Sequence, residues 1–191
     1  DITDTFAGDL SVLTAEKIAP LSIDGCEAIV GCSIYDGETV TIEEDVHVSV
    51  DAYIGGGKLI CKSGSVIKGE VWVSNDGILE SDNATFESVS LRNASSECLK
   101  GSFIFSGEVC FSSLELAEEI LAGLTYSTAS GEEVVLCIDE YSASDVTVIN
   151  GEVLRAVPFE GFAKINQFEN FRKTFKTITY RNPYMLHIKQ S

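Results

Sequence analysis

The sequence predicts an all-β fold: a single-stranded parallel β-helix, a solenoid of about 19 residues per coil, with short capping helices and a C-terminal strand and hairpin region. Three observations predict it. Apolar triplets rich in β-branched and aromatic residues recur in three parallel series. Each triplet is too short for a helix and suits a short strand. Turn residues fall between the triplets, as in Asp36-Gly37, Gly55-Gly56-Gly57, Ser63-Gly64, Ser74-Asn75-Asp76-Gly77 and Ser106-Gly107, and these residue types tolerate the bends and positive φ that corners demand.

The first series has centres at Ser22, Thr41, Ile60, Leu79 and Leu99; the second at Ile29, His47, Ile67, Phe86 and Ile104; the third at Ile34, Tyr53, Trp72, Ser90 and Cys110. Stacking like on like assigns Ile23, Ile42, Ile60, Leu79 and Leu99 to one inner wall. Ile29, Val48, Ile67, Phe86 and Ile104 or Phe105 fall to the next, and Ile34, Ile54, Val73, Leu91 and Phe111 to the third. A β-sandwich of similar short strands is the competing architecture, but it does not require three columns to keep step through successive cycles. Ile42, Val48, Ile54 and Ile60 are six apart, as in the left-handed hexapeptide helices of acyltransferases. The step then slips to seven at Ile67 and to five between Phe86 and Leu91, so a right-handed coil is expected.

The chain divides into an N-terminal cap (1–20), the coils (21–111), a helix (112–124) and a C-terminal β-rich region (125–191) that continues or caps the solenoid. Thr14–Ala19 reads as a short helix stopped by Pro20. Ser112 and Glu115 have capping-box spacing, Leu114, Ala117, Ile120 and Leu121 share one helical face, and Gly123 is a natural stop. Beyond it, Val134–Ile138 reads as a buried strand and Val146–Ile149 as another, before an Asn150-Gly151 turn. Phe168, Phe171 and Phe175 have helical spacing. Thr177–Tyr180 and Met185–Ile188 flank Arg181-Asn182-Pro183-Tyr184 as a closing hairpin.

Val134–Ile138, Thr147-Val148-Ile149-Asn150-Gly151, Thr177-Ile178-Thr179-Tyr180 and Met185–Ile188, in that order, resemble the end of the β-helix passenger domains of bacterial autotransporter and haemagglutinin-type surface proteins. The resemblance covers about the last third of the chain. It departs in the Phe-rich, basic linker 159–176 and in the cysteine content. The coils more distantly resemble bactofilins, cytoplasmic polymer-forming β-helices. The first resemblance implies an extracellular or cell-surface adhesive module; the second implies a cytoplasmic, self-assembling filament subunit.

Charge narrows the partners. Of 191 residues, 13 are Lys or Arg and 30 are Asp or Glu, a formal net charge of −17. Residues 155–191 carry seven basic and two acidic side chains, and 1–154 carry six basic and 28 acidic. Such an acidic body opposes a nucleic-acid partner, while the basic C-terminal segment could dock on its own body or on a neighbouring copy. No apolar run is long enough to span a membrane, and the opening DITDTFAGDL has no signal-peptide pattern. The six cysteines form no CxxC pair, so a zinc site is not expected and buried free thiols are.

Catalytic signals are sparse. His47 and His187 lie in different regions, and no nucleophile elbow, P-loop or HExxH occurs. No catalytic residue or cofactor is assigned. Glu43, Glu44, Asp45 and Asp51 cluster near a corner and are weak candidate oxygen ligands for Ca²⁺, a solvated acidic corner being the favoured reading. If Ile54 and Val73 face inward, Tyr53 and Trp72 face outward one coil apart, with Tyr35 one coil earlier. That aromatic ladder suits a sugar face or a flat protein surface. The function expected is therefore a non-enzymatic surface module that binds glycan or protein. A filament subunit and a polysaccharide-processing enzyme are the alternatives.

Overall fold

The structure is a computed structural model, and it describes residues 12–13, 29–139, 145–149, 152–153, 171, 174–175 and 177–181. Strands β1 (Val12–Leu13), β2 (Ile29–Ile34), β3 (Thr39–Ile42), β4 (His47–Ile54), β5 (Lys58–Cys61), β6 (Val66–Asn75), β7 (Ile78–Ala94) and β8 (Leu99–Phe111) precede helix α1 (Leu114–Gly123). Strands β9 (Thr125–Thr128), β10 (Val135–Asp139), β11 (Asp145–Ile149), β12 (Glu152–Val153) and β13 (Thr177–Arg181) follow it. The fold is mostly β, with a large parallel sheet and one helix among the described residues.

Parallel pairing runs in three ladders. The first joins β1, β3, β5 and the starts of β7 and β8. The second joins the starts of β4 and β6, the middles of β7 and β8, and β9. The third joins β2, the ends of β4, β6, β7 and β8, then β10 and β13. From β2 to β8 each residue opposes one 18 to 20 positions later: Ile29 opposes Ser49, Val40 opposes Leu59, Val71 opposes Val89 and Leu79 opposes Leu99. The buried faces of all three ladders meet in one contiguous apolar cluster.

The alternation of side chains along each strand builds that cluster. Ile42, Leu79 and Leu99, then Val48, Ile67, Phe86 and Phe105, then Ile34, Ile54, Val73, Leu91 and Phe111 are buried, as the three series predict. Ile23 lies outside the described residues, as does the side chain of Ile29. Two placements differ from expectation. Ile60 is half-buried, because its neighbours Leu59 and Cys61 supply the inward side chains of β5. Ile29 pairs with Ser49 rather than with Val48, so it is out of register with the Val48, Ile67 and Phe86 column.

Corners are made by residues that enter left-handed backbone. Asp45, Asn75, Asn83 and Asn93 have φ between 52° and 59°, a region that Asn and Asp visit most readily among non-glycine residues. Gly69 (φ 95°) sits where β6 slips register against β7, and a Cβ there would strike the Val50 carbonyl of the row before. Ser81 is buried at a different corner, where β7 passes from the first ladder to the second; its hydroxyl donates to the Ser102 carbonyl (2.7 Å) and accepts from the Ala84 amide (3.1 Å).

α1 stands where the first ladder would receive its next strand. Leu114, Ala117, Ile120 and Leu121 are buried in the common cluster. Its N-cap is Ser113, whose hydroxyl accepts from the Leu116 amide at 3.1 Å; the cap falls one residue after the expected Ser112, and Leu116 at the third helical position cannot complete a capping box. Gly123 is the last helical residue and Leu124 continues in extended backbone. β9 and β10 then rejoin the second and third ladders. Phe175 stacks on Tyr126 with ring centroids 5.8 Å apart, and Phe171 and Phe175 both join the core.

The parallel order ends at β13, which pairs antiparallel with β11. β11 and β12 pair antiparallel across the expected Asn150-Gly151 turn, which itself lies outside the described residues. Thr177–Tyr180 thus finds its antiparallel partner in β11; Met185–Ile188 and Thr14–Ala19 lie outside the described residues.

Candidate binding face

The outer face of the third ladder carries the candidate site. Ser33, Tyr53, Trp72, Ser90, Cys110, Cys137 and Thr179 oppose one another in successive rows. Each from Tyr53 to Cys137 sits between two buried apolar residues, as in Ala52-Tyr53-Ile54 and Val71-Trp72-Val73, so alternation turns it outward. Exposure drops sharply between Trp72 and Ser90. Trp72 is 41% exposed and Tyr53 intermediate, whereas Ser90, Cys110 and Cys137 are 6%, 8% and 6% exposed.

The open half holds the three predicted aromatics. Tyr53 and Trp72 are direct register partners. Tyr35 is 54% exposed but one column over, because Ser33 rather than Tyr35 opposes Tyr53. It meets Tyr53 edge to face, with centroids 6.2 Å apart. The Tyr53 hydroxyl accepts from Ser74 Oγ at 2.9 Å, which fixes the ring. The Arg92 guanidinium carbon lies 5.8 Å from the Trp72 ring centroid, over the ring, and Arg92 pairs with Asp139 at 3.5 Å. Tyr35 and Trp72 are the exposed large hydrophobic residues among those described. On the other side of the column Asp51 and Glu70 are exposed neighbours, and Asp51 Oδ1 accepts from the Glu70 amide at 3.4 Å.

The candidate calcium residues do not converge. Glu43 pairs with Lys62 at 2.9 Å, Asp45 occupies a left-handed corner beside Gly64, and Asp51 belongs to the outer face just described. Glu44 is exposed, as is His47 at the start of β4. Among the described residues the side chains that do converge are Glu108, Cys110 and Cys137, whose ligand atoms all lie within 4.8 Å of one another.

Sequence reasoning missed that trio. The triplet Val109-Cys110-Phe111 and the strand Val134–Ile138 are both legible, but 27 residues separate Cys110 from Cys137, and α1 fills the difference. Continuing the third series past the helix by its inward pattern, not by its period, is the signal that finds it.

None of the five described cysteines is in a disulfide. Burial pushes the Cys98 thiol up to about 12 and raises Cys61 further. Burial and the Glu38 charge also raise Cys32. Cys110 shifts the opposite way: a hydrogen bond from the Cys137 thiol favours its thiolate, and this outweighs burial and the charges of Glu108 and Asp139.

No family model matches the chain, no curated protein matches it, and no solved structure matches it.

Proposed function

We propose that the chain is a parallel β-helix of about 19 residues per coil that works as a non-enzymatic surface module, binding a glycan through the outer face of its third ladder. The repeat of 18 to 20 residues between opposing positions, held from β2 to β8 in all three ladders, supports the solenoid reading. The open aromatic face supports the binding reading, and the single observation that carries it is Trp72, 41% exposed on a strand whose inward neighbours are fully buried. An exposed indole beside two tyrosines offers flat apolar area to the C–H face of a sugar ring. Asp51 and Glu70 beside it offer hydroxyl acceptors. Their charge, within a chain of net charge −17, disfavours acidic polysaccharides and selects neutral ones. Extracellular or cell-surface placement accompanies this reading.

Trp72 is the only tryptophan, so intrinsic emission reports on the face directly. Titration with neutral gluco-, manno- and chito-oligosaccharides is expected to shift or quench that emission saturably, and Tyr53→Ala is expected to weaken the response about tenfold, the order of one lost stacking contact. An emission spectrum indifferent to every neutral glycan, with unchanged retention of Trp72→Ala on the matching polysaccharides, would sink the glycan reading.

A further inference from the structure

The covered half of the same column has a different chemistry. Cys110 on β8 directly opposes Cys137 on β10. Both alternate with fully buried neighbours, Val109 and Phe111 on one strand and Leu136 and Ile138 on the other, so both sulfurs lie on the outer side of the ladder. Both are nevertheless buried, yet neither joins the contiguous apolar core. Cys61 and Cys98 show what cysteines used as small hydrophobes look like here: they sit inside that core, and burial drives their thiols upward.

Carboxylates accompany the two outer thiols. Glu108, two residues before Cys110 and therefore on the same face, brings an oxygen within 4.8 Å of both sulfurs. Asp139, two residues after Cys137, flanks the pair from the opposite end of the strand. Its side chain is 11% exposed, and its Oδ1 is buried without a hydrogen-bond partner among the described residues. A buried carboxylate oxygen without a donor is costly, and a bound cation would relieve it as a hydrogen-bond donor would.

We propose that Glu108, Cys110 and Cys137, with Asp139 as the adjacent carboxylate, form a binding site for a thiophilic divalent cation, zinc above all. Two sulfurs and a carboxylate are a zinc donor set, whereas Ca²⁺ and Mg²⁺ take oxygen ligands alone. Zinc–sulfur bonds of about 2.3 Å and zinc–oxygen bonds of about 2.1 Å set tetrahedral edges of roughly 3.6–3.8 Å. The trio, spread over at most 4.8 Å, closes to that size by small rotations of the two cysteine side chains and of the exposed Glu108. Binding of the metal releases the thiol protons to solvent. Arg92, paired with Asp139, offsets part of the negative charge that two thiolates and two carboxylates leave around a doubly charged ion.

The test uses the full chain, reduced, and Zn²⁺ itself. After equilibration and removal of free metal, a single zinc ion per chain is expected. Zn²⁺ should then shield Cys110 and Cys137 from alkylation in peptide mapping while Cys32 still reacts. Cd²⁺ in place of zinc should produce a sulfur-to-metal charge-transfer band. Cys110→Ser and Cys137→Ser should each abolish stoichiometric retention, and Glu108→Gln, on an exposed side chain, should weaken it on the order of 10-fold or more. The alkylation arm needs no variant, so a serine variant that fails to fold leaves the proposal exposed to refutation. Three results overturn it: no zinc retained by the reduced wild type, equal retention by Cys110→Ser and Cys137→Ser, or a Cys110–Cys137 disulfide whose reduced form gains no protection from Zn²⁺.

Discussion

The rows between Thr39 and Phe111 and those after Ser112 use the same three ladders in different ways. In the first region opposing residues are 18 to 20 apart, and every row is bought from a near-constant length of chain. In the second, the offset grows to 23 for β9 on β8, 27 for β10 on β8 and 42 for β13 on β10. The inward columns survive the change: Phe111 is followed by Ile138, and Val109 by Leu136 and Ile178, all fully buried. Register is therefore held by the apolar columns, while the length of chain between rows is free to vary. The freedom is used at the ladder that can be replaced. α1 supplies Leu114, Ala117, Ile120 and Leu121 where a strand would have supplied two inward residues. The antiparallel β11 then ends the parallel order, leaving β13 no unpaired edge for a further parallel row.

If columns hold both regions together, the largest loss should come from a column residue central to the regular part. Phe86 is 1% exposed, opposes Ile67 and Phe105, and lies 5.4 Å from Phe103 by ring centroid. Through Phe103 and Phe105 the same aromatic run reaches Tyr126 and Phe175 beyond the helix. Phe86→Ala is expected to destabilise by about 3–5 kcal/mol, measured by denaturant unfolding, and to lower protection from hydrogen exchange in β9 as well as in β7. Loss confined to β7 would separate the regions into independent units.

A second contrast concerns corners. Gly101 and Gly131 both have positive φ, 100° and 81°. At Gly101, within the regular rows, a Cβ would strike the Ser81 carbonyl of the preceding row; at Gly131, in the connection between β9 and β10, it meets nothing within 4 Å. The backbone penalty of about 1–2 kcal/mol is common to both, so Gly131→Ala should cost only that, and Gly101→Ala measurably more. Equal losses would mean that the close stacking of rows contributes nothing at the corner.

The same division explains what was legible in the sequence. The inward columns, the corner residues and the outward turn of Tyr53 and Trp72 follow from a short repeat, because each row offers an independent copy of the pattern. Where two apolar residues flank a third, as in Leu59-Ile60-Cys61, triplet reading picks the bulkiest centre, and the strand's alternation chooses its neighbours instead. Tyr35 lies 18 residues before Tyr53, but β2 and β4 pair with an offset of 20, so it moves to the adjacent column. Beyond Phe111 there is no period left to read. The partner of β13, and the meeting of Cys110 with Cys137, depend on how much chain α1 and the later connections take up, and no local pattern encodes that.

The smallest effect isolates the helix that replaces a strand. Ser113 Oγ satisfies the Leu116 amide, one of the donors that a helix start leaves without an internal partner. A strand in the same place would have had its amides satisfied by the first ladder, so this hydrogen bond belongs to the irregular region alone. Ser113→Ala is expected to lower stability by about 1 kcal/mol, whereas Ser112→Ala, on the residue that capping-box spacing singles out, should cost less. The core face of α1 is set by Leu114, Ala117, Ile120 and Leu121, so the cap tunes the helix without deciding its position. Thermal or denaturant unfolding of the two variants side by side checks the ranking. A larger loss for Ser112→Ala would move the start of α1 one residue earlier and restore the spacing read from the sequence.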